Sequence, residues 1–233
     1  MKLTKRLAMV SSFVKNGCIP ADIGTDHAYL PSYLVINGTC ERAIAADIGK
    51  GPLNNAAETV REFGLEDKIK LILSDGLKKI DFSDIDTVIL AGMGGDLIKN
   101  ILSSADMNEL RKIHIIAQPQ SHSEKVRLFL MENGFEIERE DVCEDSGHIY
   151  NCLSAYYSGK TDYPLYYEYY GKLMESDSDL AETLIQNTVS QIAIKYEALI
   201  NAKKNSVESE KLNDIIKVLN KIIGENRNEN QRY

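Results

Sequence analysis

Cysteine is scarce in this sequence, and the few cysteines are not spaced for a shared task. The chain of 233 residues has four of them, Cys18, Cys40, Cys143 and Cys152, and no two form a Cys-x-x-Cys pair. Zinc sites and disulfide frameworks both depend on such clustered spacing. We therefore expect reduced, structural thiols, and neither a zinc site nor a disulfide framework.

No apolar run in the sequence approaches the roughly 20 residues that a membrane-spanning helix needs. Residues 1–6 also lack the long apolar stretch and the small-residue cleavage site of a secretory signal peptide. The hydrophobic residues, 43% of the chain, are enough to build the core of one α/β domain with a smaller appendage. These features predict a cytoplasmic protein that does not contact the membrane.

Positive charge is not in excess. The chain has 27 Lys and Arg residues against 35 Asp and Glu, which gives a formal net charge of -8, and neither residues 1–160 nor residues 161–233 are basic overall. This balance argues against a protein whose whole surface binds nucleic acid. A local basic face remains compatible with it, because a phosphate contact needs only a positioned Lys or Arg.

The complete Gly-x-Gly-x-x-Gly signature of dinucleotide-binding proteins is missing, although its setting is present. Residues 19–31 (IPADIGTDHAYLP) contain a short apolar run, an acidic residue, a turn with Gly24 and a helix-compatible segment. Asp26 and Ala28 stand where further glycines are expected. Because Asp22 and Asp26 repel a pyrophosphate and attract an ammonium or sulfonium group, the loop favours S-adenosylmethionine over NAD.

Strand and helix patterns alternate along residues 1–160. Apolar residues at helical spacing predict an amphipathic helix from Leu3 to Val14. Five parallel strands are predicted from short apolar runs at residues 19–22, 42–47, 68–73, 86–91 and 114–117. Two β-rich segments, 135–140 and 149–156, predict an antiparallel pair at the sheet edge. The expected fold is α/β, with the mixed seven-stranded sheet of a class I, Rossmann-like methyltransferase.

A different pattern begins near Tyr163. Residues 166–170 are predicted to open a long helix in which apolar residues recur at heptad spacing, namely Ile185, Val189, Ile192, Tyr196 and Leu199. Residues 203–206 (KKNS) interrupt this seam, which resumes at Leu212, Ile216, Leu219 and Ile223. We predict a methyltransferase domain at residues 1–160 and an antiparallel coiled-coil hairpin at residues 161–233.

Acidic residues and glycines follow the predicted strands, at the edge where open α/β sheets bind ligands. Asp22 and Gly24 follow the first strand. Asp47 ends the second, where a carboxylate accepts the ribose hydroxyls of an adenosine, and Asp75 follows the third, placed to receive the adenine amino group. Residues 91–95 (AGMGG) follow the fourth strand, and a glycine-rich turn there lets a substrate approach the methyl donor closely.

Several of these motifs together resemble one known family. The motifs are ADIGTDHAYLP at 21–31, GPL at 51–53, DGL at 75–77, AGMGG at 91–95 and QP at 118–119. In combination they resemble the bacterial tRNA (adenine-N1)-methyltransferases that modify adenine 22. The similarity extends to about residue 160, and the helical hairpin matches the appended C-terminal domain of that family. The resemblance implies transfer of a methyl group from S-adenosylmethionine to N1 of an adenine in tRNA.

The resemblance and the strand-end positions together give the expected site residues. Those expected to bind the cofactor are Arg6, Asp22, Ile23, Gly24, Asp26, His27, Asp47, Ile48, Asp75, Gly76, Ala91 and Gly92. Those expected to act at the transferring group are Asp26, His27, Met93, Gly94, Gln118 and Pro119. For His27, a contact with cofactor or base and a purely structural role are both open.

The target adenine sets its own requirements. Its amino group needs an acceptor, and the candidates are the backbone carbonyls of residues 92–94 and the side-chain oxygen of Gln118. Met93 and Tyr29 are placed to form an apolar wall against the base. Asp26 is placed to stabilise the cationic product.

The expected contacts to tRNA phosphates are cations near the ligand-bearing edge, namely Lys5, Arg6, Lys50, Lys125 and Arg127. Arg6 is alternatively a partner for the cofactor carboxylate. Lysines of the hairpin extend the positive footprint, and these are Lys195, Lys203, Lys204, Lys217 and Lys221. We expect a monomer that uses no metal ion.

Three other functions stay open at this level. A methyltransferase for a small molecule or another RNA predicts no strongly salt-dependent tRNA binding. A non-catalytic S-adenosylmethionine-binding module would use the hairpin to recruit a partner, but it has no need of the open approach that residues 92–95 provide. An NAD-dependent oxidoreductase is opposed by Asp26 and by the missing third glycine.

Overall fold

The computed structural model describes residues 1–176, 178–202 and 207–230, and it divides into two compact units. The first unit is Met1–Asp162, and the second begins at Tyr163. Among the described residues, no helix is both long and apolar enough to cross a membrane.

A seven-stranded sheet forms the centre of the first unit. Its strands are β1 (Pro20–Ile23), β2 (Ala43–Asp47), β3 (Ile69–Leu73), β4 (Thr87–Gly94), β5 (His114–Ser121), β6 (Phe135–Asp145) and β7 (His148–Tyr157). Their spatial order is β3-β2-β1-β4-β5-β7-β6. Strands β1 to β5 run parallel, and β7 runs antiparallel to both β5 and β6. The predicted mixed sheet with an antiparallel edge pair is therefore confirmed.

Helices pack against this sheet and connect its strands. They are α1 (Lys5–Ser11), α2 (Tyr29–Ile36), α3 (Lys50–Glu62), α4 (Gly95–Ser103), α5 (Met107–Leu110) and α6 (Ser123–Glu132), with a 3-10 turn at Phe82–Asp84. Successive side chains of a strand point to opposite faces, and Val88, Ile89 and Leu90 of β4 are all fully buried. Both faces of the central sheet are therefore covered, as expected for parallel strands.

Strands β4 and β5 extend further than the sequence predicted. Residues 92–94, predicted as a turn, belong to β4, and Gly94 pairs with Ser121 of β5. The pairing passes through register shifts on either side of Met93, and Gly92 has a left-handed φ of 77°. Pairing with β5 continues to satisfy the backbone here, while the irregularity accommodates the glycine conformation that had suggested a turn.

The second unit is helical. It contains α7 (Tyr167–Tyr170), a 3-10 turn at Leu173–Glu175, α8 (Asp179–Asn201) and α9 (Val207–Asn230). The tyrosine-rich segment does not open the long helix as predicted, because Gly171 follows α7 with a φ of 54° and ends it.

The long helices α8 and α9 pack against each other. In α8 the predicted seam residues Ile185 and Ile192 are buried. In α9 the predicted seam residues Leu219 and Ile223 are buried, whereas the predicted Ile216 is only partly buried and its neighbour Ile215 is fully buried. Lys203 and Lys204, predicted to extend a positive footprint, lie outside the described residues.

Candidate active site

The predicted site residues gather where the strand order reverses. Strand β1 lies between β2 and β4, so chain connections leave it in opposite directions on its two sides. This position opens a crevice beyond the carboxyl ends of the strands, where ligands bind in open α/β sheets. The loops after β1 and β2, the ends of β4 and β5, and the first turn of α1 supply the residues described below.

Asp22 is the most unusual ionisable group of this region. It is only 6% exposed and accepts a 2.6 Å hydrogen bond from the hydroxyl of Thr25. Burial raises the pKa of Asp22 to about 6; the bond from Thr25 opposes this rise, the charge of Asp47 adds to it, and Arg6 opposes it. A buried carboxylate at this position favours a cationic ligand.

Gly24 brings the first loop against the end of β4. Its φ is 75°, and a β-carbon at this position would overlap the terminal methyl group of Met93. Gly24, predicted to bind the cofactor, and Met93, predicted to act at the transferring group, are therefore in contact only because position 24 has no side chain. Ile23, also expected at the cofactor, has a buried side chain, so only its backbone faces the crevice.

Asp47 ends β2 with its carboxylate oriented by two backbone amides. One oxygen accepts a 2.8 Å bond from Gly49, and the other lies 3.4 Å from the amide nitrogen of Asp26. The next side chain, Ile48, is 69% exposed. An oriented carboxylate followed by an exposed apolar side chain suits a ribose and its base.

The loop after β3 is more open. Asp75 is exposed and ion-paired with Lys78. Gly76 follows with a φ of 58°, and a β-carbon there would lie 3.1 Å from side-chain atoms of Ile101. This loop reaches the same edge of the sheet, but its carboxylate must leave Lys78 in order to meet a ligand.

His27 and Tyr29 form an aromatic pair after the first loop. Their ring centroids are 5.1 Å apart and the ring planes differ by 5°. Tyr29 is 45% exposed, and His27 Nε2 lies 3.6 Å from a carboxylate oxygen of Asp26. A flat stack with one open side can accept a further planar base.

Gln118 has a different role from the one expected. It is fully buried, and its side-chain oxygen accepts bonds from Gly92 N (3.1 Å) and Arg6 Nη1 (2.8 Å). Its amide nitrogen donates to the carbonyl of Pro119 at 3.1 Å. Because both acceptor positions of the oxygen are occupied, the structure favours the alternative candidates, the carbonyls of residues 92–94, as acceptors for the amino group of a target adenine.

Pro119 and Gly94 are brought together by the pairing of β4 with β5. Pro119 is buried opposite Met93, and a β-carbon on Gly94 would lie 3.3 Å from Ser121 Oγ. Ala91, one residue before Gly92, is partly exposed at the same strand end. The carbonyls of residues 92–94 thus remain the candidate acceptors at this edge.

Helix α1 delivers Arg6 to the site and is itself held by the β6–β7 hairpin. The Arg6 backbone amide donates a 3.0 Å bond to the Asp145 carboxylate, and its guanidinium lies 5.9 Å from the Tyr150 ring centroid. Asp145 was missed because the first β-rich segment was predicted to end at residue 140, and Tyr150, although within the second predicted segment, was not assigned to the site. The Ser146-Gly147 turn between two β-rich segments was the available signal for a longer hairpin.

The predicted tRNA contacts have contrasting environments. Lys5 and Lys50 are exposed. Lys125 pairs with Asp96 at 2.6 Å, and His122 Nδ1 lies 2.7 Å from the same carboxylate. The hydrogen bond from Lys125 is the main cause of a lowered pKa of Asp96, and the hydrogen bond with His122 contributes less.

Arg127 cannot contact a phosphate as predicted. Its side chain is 3% exposed and donates to Glu140, whose side chain is fully buried, with Nη2 to Oε1 at 2.7 Å and Nε to Oε1 at 3.1 Å. Leaving this pair would strand a buried carboxylate. Arg127 is therefore part of the protein interior.

Known methyltransferases are similar to this chain in sequence. The family model described as "Methyltransferase domain" matches residues 3–153. The tRNA (adenine(22)-N(1))-methyltransferase of Bacillus subtilis is 38% identical over 155 residues, which cover 66% of this chain and 65% of that protein. The matched segment thus spans slightly less than two thirds of the length of that relative.

Solved structures match over nearly the whole chain. The M1A22 tRNA methyltransferase TrmK of B. subtilis superposes with a TM-score of 0.83 at 30% identity, covering 95% of this chain and 99% of that one. M. capricolum TrmK in complex with S-adenosyl-homocysteine superposes with a TM-score of 0.80 at 28% identity, covering 96% and 99%.

Proposed function

This chain belongs to the bacterial tRNA (adenine(22)-N1)-methyltransferase family, and we propose that it transfers the methyl group of S-adenosylmethionine to N1 of adenine 22 in tRNA. The observation that carries the proposal is the contact between Gly24 and Met93. It joins a loop suited to a cationic cofactor to the strand end where a substrate approaches. The cofactor-binding loop and the site of methyl transfer are therefore adjacent in one crevice.

Three features support binding of S-adenosylmethionine over β1 and β2. The buried carboxylate of Asp22 favours a positive charge. Asp47 presents an oriented carboxylate to a ribose, and Ile48 offers an exposed apolar surface to a base. The bound cofactor supplies an electrophilic methyl group on its sulfonium. Arg6, whose guanidinium lies beside Gly92, suits the carboxylate of the cofactor.

The protein's task in the reaction is mainly to position the base. N1 of adenine carries a free lone pair at neutral pH, so no strong base is needed to create the nucleophile. Holding N1 in line with the methyl group contributes ~7–11 kcal/mol. Met93 and Tyr29 form the apolar wall against the base, and the carbonyls of residues 92–94 accept its amino hydrogens. Asp26 stabilises the positive charge that the methylated base acquires.

The target adenine must leave the tRNA stack to reach this crevice, at a cost of about a few kcal/mol. Exposed Lys5 and Lys50, together with Lys125, bind phosphates around it, which a protein of net charge -8 can do locally. Catalysis belongs to residues 1–160, while the helices of residues 161–233 contact either tRNA or protein. The enzyme acts as a cytoplasmic monomer without a metal ion.

The test is methyl transfer from labelled S-adenosylmethionine to unmodified tRNA transcripts, followed by nucleoside analysis. The expected product is 1-methyladenosine, which disappears when adenine 22 of the transcript is replaced. Cofactor binding is measured separately by calorimetry. Tight binding of the cofactor without methylation of any tRNA would refute the substrate, and would favour a small-molecule substrate or a recruitment role.

A further inference from the structure

A closed ring of four polar side chains, three of them buried, joins helix α6 to the β6–β7 hairpin. Ser123 Oγ lies 3.0 Å from Asn151 Oδ1, and Asn151 Nδ2 donates to Glu140 Oε1 at 2.8 Å. Glu140 accepts the guanidinium of Arg127, which completes the ring on α6. Arg127, Glu140 and Asn151 are all less than 9% exposed. None of these four residues belongs to the crevice described above.

The ring holds the first turn of α6 at two points. Ser123 and Arg127 are four residues apart, so they share one face of the helix. Ser123 anchors that turn to β7 through Asn151, and Arg127 anchors it to β6 through Glu140. The start of α6 therefore has little freedom to slide or rotate against the sheet.

The segment that precedes α6 packs against the end of β4, where we place the target base. That segment, residues 121–122, we call the β5–α6 junction. A β-carbon on Gly95 would overlap the carbonyl oxygens of Ser121 and His122, and Gly94 pairs with Ser121. The junction thus packs directly on the glycines that follow Met93.

We propose that the ring of Ser123, Asn151, Glu140 and Arg127 positions the β5–α6 junction against residues 93–95, and thereby sets the shape of the target-adenine pocket. This inference rests on the proposed function. The four side chains are positioning residues, since they act through the junction. Reactivity depends on placement, because a displacement of about 1 Å at the reacting atoms can cost on the order of a hundredfold in rate.

A buried ion pair is a costly way to gain stability, because apolar residues of similar volume are often equally or more stabilising. Its directional hydrogen bonds fix relative orientation more tightly than apolar packing does. That property is useful where a helix start borders a site that must hold a planar base in line with a methyl group.

The experiment removes the ring's hydroxyl and leaves its ion pair intact. Ser123→Ala deletes the bond to Asn151, and Ser123→Thr restores a hydroxyl. Ser104→Ala is the matched control, because Ser104 Oγ also makes one hydrogen bond, to Ile101 O, at the far end of α4. The readouts are S-adenosylhomocysteine affinity, melting temperature, kcat/KM for tRNA and amide hydrogen exchange of the junction, residues 121–122.

Ser123→Ala is expected to keep S-adenosylhomocysteine affinity within about twofold and melting within a few degrees of the parent chain. Its kcat/KM for tRNA should fall about tenfold, and exchange at the junction should accelerate. Ser123→Thr should restore both kcat/KM and the exchange rate of the junction, and Ser104→Ala should change neither of these two quantities.

The proposal is overturned if Ser123→Ala behaves like Ser104→Ala. It is also overturned if activity, cofactor affinity and melting all decline together, since a merely structural role produces that pattern. If the unaltered chain forms no 1-methyladenosine, the proposed function fails, and the exchange rates alone then decide whether the ring positions the junction.

Discussion

The side-chain oxygen of Gln118 accepts a 2.8 Å hydrogen bond from Nη1 of Arg6, which joins the end of β5 to helix α1. The same oxygen accepts the backbone amide of Gly92 at 3.1 Å. Gln118 is fully buried. Its amide therefore connects three segments that meet at the crevice, and its influence on a ligand passes through Arg6 and Gly92.

Replacement of Gln118 by Ala should weaken both the fold and the cofactor site. The amide of Gly92 and the guanidinium of Arg6 lose their common acceptor, and a buried unsatisfied donor costs about 1–3 kcal/mol. We expect a loss of that size in urea unfolding and a clear fall in S-adenosylmethionine affinity by calorimetry. Gln120→Ala removes an exposed neighbouring side chain and should leave both quantities unchanged. If Gln118→Ala and Gln120→Ala had the same unfolding free energy and the same S-adenosylmethionine affinity, Gln118 would not connect these three segments.

Gly24 and Gly38 offer a matched pair of alanine substitutions. Their φ values are 75° and 72°, but only at Gly24 would a β-carbon meet another atom, the Met93 methyl group, within 4 Å. The left-handed conformation costs a non-glycine residue about 1–2 kcal/mol, so both variants should lose that much unfolding free energy. Only Gly24→Ala should also lose cofactor affinity and methyl transfer. Equal activity of the two variants would show that the contact with Met93 is dispensable.

The central sheet could be predicted because its signals are local. Short apolar runs that end in Asp or Gly mark β1, β2 and β4 directly, and the carboxyl ends of parallel strands then meet at one edge. The far ends of β4 and β5 could not be predicted in this way. Gly92 and Pro119 favour a turn in isolation, and only their position in the paired strands shows otherwise.

The partners of charged residues were the least predictable part of the site. Arg127 and Lys125 are two residues apart on α6, yet one is buried against Glu140 and the other lies at the surface beside Asp96. The apolar periodicity of a helix indicates which face a charged residue occupies. It does not indicate the carboxylate with which that residue pairs, because the carboxylate belongs to a distant segment of the chain. Gln118 shows the same limit, since its partners lie on β4 and α1.

The carboxyl group of Asp22 should make stability depend on pH. Burial raises its pKa from 3.8 to about 6 in the folded protein. Between these values the folded state holds a proton that the unfolded state has released, so stability falls as pH rises, by roughly 3 kcal/mol in all. Asp22→Asn removes this loss. Its unfolding free energy relative to the parent chain should therefore rise between about pH 4 and about pH 6, as measured by urea titrations.

Thr25→Val tests the cause of this behaviour. The variant loses the hydroxyl that donates to Asp22 and opposes the effect of burial, so the pKa should rise further and the loss of stability should extend to higher pH. A stability difference between Asp22→Asn and the parent chain that does not vary with pH would show that the carboxyl group is not perturbed by burial.

Arg127 and Lys50 should respond in opposite ways to substitution, because one is an interior cation and the other is exposed. Arg127→Met removes the guanidinium from the buried carboxylate of Glu140, so we expect a loss of about 3–5 kcal/mol in unfolding free energy. Binding of tRNA is measured at low temperature with saturating S-adenosylhomocysteine. The slope of the logarithm of the tRNA binding constant against the logarithm of the salt concentration should be the same for Arg127→Met as for the parent chain. Lys50→Ala should retain stability and reduce that slope by about one, as expected for one lost phosphate contact. A reduced slope in Arg127→Met, or an unchanged one in Lys50→Ala, would mean that tRNA approaches the protein over a different face.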